Sequence, residues 1–462
     1  MAHQGMTYEE LYEKNRRYLW NPFTQMKEYL ADEPVIIESG YGCRLRDVKG
    51  NEYWDGVSSV WLNIHGHQVP ELDAAIREQL NSIAHSTLLG MGNVPAILLA
   101  EKLVTIVPRG LGKVFYSDSG AEAVEIALKM AFQYWKNRGV DGKTTFVTMR
   151  EAYHGDTVGA VSVGSIDLFH QVYAPLLFPS LKIPFPNPYR NPYGESVEDV
   201  VNGSLRAVEE VFQKQGDQIA AMIVEPVQGA GGMVPMPSGY LRELRNLCSA
   251  YHILLIVDEV ATGFGRTGKM FACEHDGITP DILAVAKGIT GGYLPVAATL
   301  TTDEIYDAFY ADYHEFKTLY HGHSYTGNQL GCAVALENLK LFEQRNLVAE
   351  VEQKAAELHH YLDPIRSLSH VGDVRQSGFM VGIELVADKA TKQPFPLQQR
   401  TGVRVARRCR ELGMLLRPLT DVMVFMPPLA AKLEELKDMT SILYQAIAEV
   451  TEDHQTRVAE SR

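Results

Sequence analysis

The chain has 462 residues, enough for two or three lobes around a sizeable core. Its formal charge of −14, from 43 basic and 57 acidic residues, argues against general affinity for nucleic acid or an anionic membrane. Five scattered cysteines without a CxxC pair support neither a disulfide framework nor a zinc ribbon; with a charged N-terminus that lacks a signal-like apolar core and no run near the ~18 apolar residues of a membrane span, a cytoplasmic setting is expected.

In chain order, residues 7–18 read as a short helix with Thr7 as N-cap and Glu10 completing a capping box. Trp20 to Gln25 reads as a loop, and residues 34–57 as a β-meander with a turn at Gly50-Asn51. Two helices follow, Pro70 to Ile83 and Asn93 to Val107, each with apolar residues at helical spacing. From Lys113 strands alternate with helices: KVFYS, TTFVTM, QIAAMIV, ILLIVD, DILAVAK and PVAATLTT are the strands. This pattern predicts a mostly parallel sheet. Phe178 to Asn202, rich in Pro, Asn and Tyr, reads as an irregular surface excursion. After about residue 320 come long helices, the strand pair within VRQSGFMVGIEL, the strands MLLRPLT and VMVFMPP, a closing helix over 432–452 and a polar tail from Asp453. The expected fold class is α/β, with a mostly parallel central sheet flanked by helices. The expected organisation is an N-terminal segment over 1–65, a large domain over 66–318 and a C-terminal α+β domain over 319–462.

Several of these strands end in residues capable of chemistry, and in open α/β sheets ligands gather beyond the carboxyl ends of strands. Ile253–Val257 delivers Asp258, and Ile282–Ala286 delivers Lys287. A lysine whose pKa is lowered by burial is an imine-forming nucleophile; an ordinary strand-end lysine is the alternative. A buried carboxylate requires a partner, either a protonated cofactor nitrogen or a structural salt bridge. Ser117-Asp118-Ser119-Gly120-Ala121-Glu122 leads into a helix, which is either an anion cradle or a plain cap at Ser119. Tyr153 in Tyr-His-Gly-Asp follows another strand and can stack on a planar group or fill a core turn. Glu225-Pro226 ends a fourth. Arg417 suits a carboxylate, with a surface charge as the alternative. Gly263-Phe-Gly-Arg-Thr-Gly268 matches GxGxxG, but five residues separate it from the strand and no helix follows, so it reads as a loop. His65-Gly66-His67 and His321-Gly322-His323 lack the context of a metal site, and no metal is expected.

With these clusters in order, the chain resembles the class III (ω-type) aminotransferases, which use pyridoxal 5′-phosphate (PLP) in fold type I. The motifs that carry the resemblance are Ser117–Ala123, Ala152–Thr157, Glu225–Met233, Leu254–Phe271, Asp281–Gly292 and His321–Asn328. Within the family, Leu19–Met26, Ser58–Trp61, Ile64–Gly66, Phe271–His275, Arg417-Pro418 and Met426–Pro428 resemble the branch that aminates 8-amino-7-oxononanoate (KAPA) in biotin biosynthesis. The resemblance implies a smaller lobe built from both chain ends. It also implies that Lys287 carries the cofactor and moves the proton, that Asp258 pairs with its ring nitrogen, and that Val260 and Tyr153 flank the ring. Ser119, Gly120 and Ala121 would hold the phosphate, Glu225 would border the cofactor, and Gly322, His323 and Ser324 would reach it from the partner of a homodimer. Arg417 would hold the substrate carboxylate and Trp61 line its channel. Phe23, Val60 and Val424 stand where family members that use S-adenosylmethionine have Tyr, Trp and Tyr. That difference points to lysine as amino donor. The other readings are a broad ω-transaminase acting on amines or diamines with pyruvate, and a non-enzymatic binding protein in which Lys287 is only a strand-end charge.

Overall fold

The computed structural model describes residues 5–194 and 196–452; the polar tail from Asp453 lies outside them. Its N-terminal meander comprises β1 (Ile37–Tyr41), β2 (Arg44–Asp47) and β3 (Glu52–Asp55), all antiparallel neighbours. The turn into β3 is shaped by Asp47, whose carboxylate accepts from the Lys49 and Asn51 N–H groups, while Gly50 takes the left-handed conformation that the tight return requires. The capping box at Thr7 and Glu10 forms as its sequence predicts.

The central sheet is built from β4 (Leu111–Ser117), β5 (Thr145–Met149), β6 (Ser180–Ile183) and β7 (Ile219–Val224), then, after the small ribbon β8 (Val227–Gln228) and β9 (Val234–Pro235), from β10 (Leu254–Asp258), β11 (Ile282–Val285) and β12 (Ala297–Thr302). Its order is β4-β12-β11-β10-β7-β5-β6, and only β12 runs against its neighbours. Strands β7, β10 and β11 are buried throughout, because both faces of the sheet are covered. Alternate residues serve the two faces. Met222, Val224, Leu255, Val257, Leu283 and Val285 enter one cluster, with the helices Val94–Ile106 and Tyr240–Ala250. Ala221, Ile223, Leu254, Ile256, Ile282 and Ala284 pack on the helix Gly120–Asn137. Each fully buried Leu, Ile or Val contributes about 1.5–3 kcal/mol, so strand direction and register are strongly specified here. One consequence is functional: Ser117, Met149, Val224, Asp258 and Val285 all end their strands at the same edge.

The C-terminal part of the chain carries a second antiparallel sheet, in the order β13 (Val371–Ser377), β14 (Met380–Leu385), β17 (Val422–Phe425), β16 (Arg417–Leu419). Two sequence expectations are corrected. The segment 178–202 is not wholly irregular: it supplies the edge strand β6 and starts the helix Val197–Gln215, which Ser196 and Asp199 cap reciprocally. Residues 414–419 are not one strand. Met414–Leu415 form β15, which pairs in parallel with β3, whereas Arg417–Leu419 join β17 as β16. The chain therefore crosses from one sheet to another at Leu416, and the N-terminal meander is tied to the C-terminal part of the chain. No helix among the described residues is long and apolar enough to cross a membrane.

Candidate active site

A cavity of about 560 Å³ opens at the carboxyl edge of the central sheet. Its wall includes Ser119, Gly120, Ala121, Tyr153, Glu225, Asp258, Val260 and Lys287 from the strand ends, Phe23, Val60 and Trp61 from the N-terminal segment, and Arg417 from β16. Residues more than 390 positions apart in the sequence thus meet in one chamber; the Arg417 guanidinium lies 3.4 Å from the Phe23 carbonyl oxygen and 5.7 Å from the Phe23 ring centroid.

The ionisable groups hold each other in place. Asp258 Oδ1 accepts from the Val260 N–H at 2.9 Å, and Oδ2 lies 2.8 Å from His154 Nδ1. His154 is buried, and burial alone would lower its pKa, but the hydrogen bond and charge of Asp258 hold it above the ordinary value. Glu225 accepts from the N–H groups of Tyr153 at 3.0 Å and Gly229 at 3.1 Å. Burial pushes its pKa up to about 7, an effect that His154 moderates and Asp258 reinforces. Lys287 is drawn down to about 8 by desolvation, against the pull of Asp258 and Glu225 and with help from Arg266. Its Nζ lies 4.9 Å from the Trp61 ring centroid, and its backbone is left-handed (φ 49°), a conformation uncommon for a residue with a side chain. The Tyr153 hydroxyl donates to Asp156 Oδ2 at 2.6 Å; burial and that carboxylate raise its pKa.

The helix Gly120–Asn137 begins at the cavity wall. Ser119 Oγ caps the Glu122 N–H, and Glu122 Oε2 accepts from the Asp118 and Ser119 N–H groups. The N–H groups of Gly120 and Ala121 have no carbonyl of their own helix to donate to, and the helix dipole adds positive potential there. This geometry fits the phosphate of PLP, and the fixed Asp258 carboxylate fits a protonated ring nitrogen. The cradle leaves little spare room. A Cβ on Gly120 would lie 2.5 Å from Val260 Cγ1, and one on Gly155, where φ is 121°, would lie 2.4 Å from Ala121 Cβ. Gly155→Ala is therefore expected to displace the phosphate cradle and weaken PLP binding about tenfold or more, given the ~1–3 kcal/mol cost of overpacking. Titration of the apoprotein with PLP, followed by absorbance, measures this; an unchanged affinity would remove the cradle assignment.

Trp61 is held by an unusual turn. Ser58, Ser59, Val60 and Trp61 are four consecutive left-handed residues, with φ of 50°, 49°, 70° and 69°. Left-handed helix costs about 1–2 kcal/mol per residue, so the turn exists only because its surroundings hold it. Ser58 Oγ donates to the Met426 carbonyl at 2.6 Å, and Asp55 accepts from both the N–H and the hydroxyl of Ser59 at 2.8 and 2.7 Å. The fully buried Arg266 donates to Ser58 Oγ, to the Asn63 carbonyl and to the Pro427 carbonyl. The glycine-rich loop, expected to be a mere connector, thus contributes a structural cation.

Most of the expected site residues meet in this cavity, and four do not. Val424, expected in the substrate wall, is 1% exposed; β17 lies inside its sheet, so Val424 joins Val227, Met233, Met380 and Met426 behind the wall, where Trp61 and Leu419 pack on that cluster. Gly322, His323 and Ser324 lie outside the cavity of their own chain; His323 Nε2 is 3.9 Å from Glu122, and the Ser324 carbonyl pairs with His85. Sequence reasoning passed over His154, Asp156, Phe169 and Arg266. His154 and Asp156 lay within the Tyr-His-Gly-Asp cluster, where a His beside an aromatic at a strand end could have signalled them. Phe169, whose ring packs edge-on to Phe23 at 5.3 Å, has no comparable cue.

The class-III aminotransferase family profile matches residues 27–447. The chain is 59% identical to the adenosylmethionine-8-amino-7-oxononanoate aminotransferase of Anoxybacillus flavithermus (strain DSM 21510 / WK1), covering 96% of this chain and 97% of that protein. It is 52% identical to the protein of the same name from Aquifex aeolicus (strain VF5), covering 95% and 97%. Among solved structures, the adenosylmethionine-8-amino-7-oxononanoate aminotransferase of Methanocaldococcus jannaschii DSM 2661 superposes with a TM-score of 0.91 at 47% identity, over 96% of this chain and 99% of that one.

Proposed function

This chain belongs to the class III aminotransferases, PLP-dependent transferases of amino groups, and from that premise we propose that it aminates the 7-keto group of KAPA to give 7,8-diaminononanoate. The observation that carries this reading is the path from Lys287 to Arg417. The two line one cavity, with Phe23, Val60, Trp61, Tyr153, Phe169 and Leu419 between them and around them. Such a chamber suits a long methylene chain with a carboxylate at the far end, held by the guanidinium. The relatives' names supply the same substrate.

In this reading Val260 and Tyr153 would flank the ring of PLP, which would supply an electron sink for the carbon that loses a proton. The remaining roles belong to the protein. Ser119, Gly120 and Ala121 would hold the phosphate, and the Asp258 carboxylate, fixed by Val260 and His154, would pair with the ring nitrogen. Lys287 Nζ, with a pKa near 8, accepts and returns a proton close to neutral pH. Glu225 anchors the Tyr153 backbone, and Asp156 anchors its hydroxyl. The pairing of two half-reactions follows: a donor leaves its nitrogen, and the keto acid collects it.

For the donor, the wall favours lysine. Phe23 and Val60 line the cavity where the resemblance places Tyr and Trp in users of S-adenosylmethionine, which removes a hydroxyl and an indole from the contact surface. Val424, behind the wall, no longer supports that argument. The relatives' names specify adenosylmethionine, so the donor is the part of the reading most worth measuring. With KAPA as acceptor, kcat/KM for lysine is expected to exceed that for S-adenosylmethionine about tenfold, with 7,8-diaminononanoate identified by mass spectrometry. Equal or better use of S-adenosylmethionine overturns the donor; no diamine with either donor overturns the acceptor.

We also place the enzyme as a homodimer. Leu89 (87% exposed), Met91 (61%), Ile97 (60%) and Tyr325 (61%) leave large apolar groups in solvent near the exposed Gly322 and Ser324 and the half-buried His323. A second copy covering this face would bring Gly322, His323 and Ser324 towards its neighbour's phosphate cradle.

A further inference from the structure

The wall residue Trp61 owes its place to a group outside the cavity. Asp55 ends β3, is 1% exposed, and spends its carboxylate on one residue of the left-handed turn: Oδ1 accepts from the Ser59 N–H at 2.8 Å and Oδ2 from the Ser59 hydroxyl at 2.7 Å. Oδ2 also meets His67 Nε2 at 3.1 Å, and His67 is braced by Asn63 at 3.2 Å. Two residues beyond Ser59, the Trp61 ring is packed so closely on Gly229 that a Cβ there would lie 3.1 Å from it, and its face meets Lys287 Nζ. Nothing about Ser59, Val60 or Trp61 favours the left-handed conformation; a β-branched residue resists it most. The turn therefore needs an external clamp, and Asp55 grips it at its middle.

We propose that Asp55 is a positioning residue for substrate selection: by holding the strained turn Ser58–Trp61 it sets the Trp61 indole as the wall that distinguishes a long ω-carboxylated ketone from a small one. The substrate part rests on the reading of the cavity given above; the clamp on Trp61 stands on geometry alone. Asp55 also faces the buried Arg266 electrostatically, so loss of its charge must be separated from loss of its grip. Ser59→Gly does this. Glycine enters the left-handed region without steric cost, which relieves the strain at the one residue Asp55 grips while restoring no charge.

The test uses the PLP-loaded enzyme. In Asp55→Ala, the ratio of kcat/KM for KAPA to that for pyruvate is expected to fall about tenfold; this ratio is insensitive to the fraction of active protein, so a merely stabilising Asp55 would leave it unmoved. In the apoprotein, the near-ultraviolet circular dichroism lost in Asp55→Ala is expected to match that lost in Trp61→Phe. Adding Ser59→Gly to Asp55→Ala is expected to restore part of both signals. Should Asp55→Ala fail to accumulate, Asp55→Asn, which retains one acceptor for Ser59, is read by the same two measures with a smaller change expected. An unaltered tryptophan signal, or a fall in the ratio that Ser59→Gly does not reverse even in part, overturns the proposal. A wild type inactive on KAPA overturns the proposed substrate, while the tryptophan signal and its rescue still decide the role of Asp55.

Discussion

Replacing Lys287 with alanine is expected to lower turnover by ~10⁴-fold, the upper range for removal of a positioned acid–base group. The expectation follows from position as much as residue type. Lys287 sits just past the end of β11, in a left-handed conformation that aims its side chain into the cavity with Asp258 and Glu225. Borohydride treatment of the PLP-loaded wild type should fix the cofactor mass on the peptide containing residue 287, and the variant should show none. A variant within about a hundredfold of wild type, or one that retains the fixed mass, would remove Lys287 from this role. The pH dependence has a defined sign. Only the neutral amine attacks a carbonyl, and its fraction rises with pH through the pKa. Because desolvation lowers that pKa to about 8 from its ordinary 10.5, uptake of PLP by the apoprotein should accelerate as pH rises towards 8 and level off above it. An unperturbed lysine would continue to gain well beyond pH 9.

Asp258→Asn is the second large effect. The substitution keeps the shape of the side chain and an oxygen for the Val260 N–H, but removes the carboxylate charge that meets His154 and that, in the proposed role, would pair with a cofactor ring nitrogen. Breaking a buried charge pair costs about 3–5 kcal/mol, equivalent to ~10²–10⁴-fold in rate if the loss falls on the transition state. Rapid mixing of the loaded enzyme with a single amine donor isolates the first half-reaction; a loss smaller than tenfold there would show that Asp258 is structural. The same change should let the His154 pKa fall, since burial would then be opposed by Glu225 alone. Nuclear magnetic resonance of the histidine side chains can follow that shift separately from activity.

Much of the framework was legible in the residues because it is written locally. The apolar runs Ile253–Val257 and Ile282–Ala286 supply the strands Leu254–Asp258 and Ile282–Val285, buried throughout, and the ionisable residues at their ends fall at the one edge where a parallel sheet collects ligands. Ser119 and Glu122 announce a helix start by spacing alone. Phe178–Asn202 misled because its prolines and tyrosines are loop-like in composition, yet Ser180–Ile183 gains enough from pairing with β5 to become an edge strand. Val424 misled for a related reason: a wall position and a residue one layer behind it have the same hydrophobic signature, and only the place of β17 between β14 and β16 separates them.

The sequence by itself therefore determined the α/β class, the strand ends and the candidate lysine, acid and phosphate cradle, since these depend on periodicity and on residues within a few positions of each other. Tertiary structure alone decided the partnerships. His154 meets Asp258 across 104 residues, Arg266 meets Asn63 and Pro427, and Asp55 holds a turn whose residues would not choose it. Such pairs depend on which strand lies beside which, and a strained backbone is stable only when distant groups outweigh its local preference. The physics that specifies them is non-local, and so is the information.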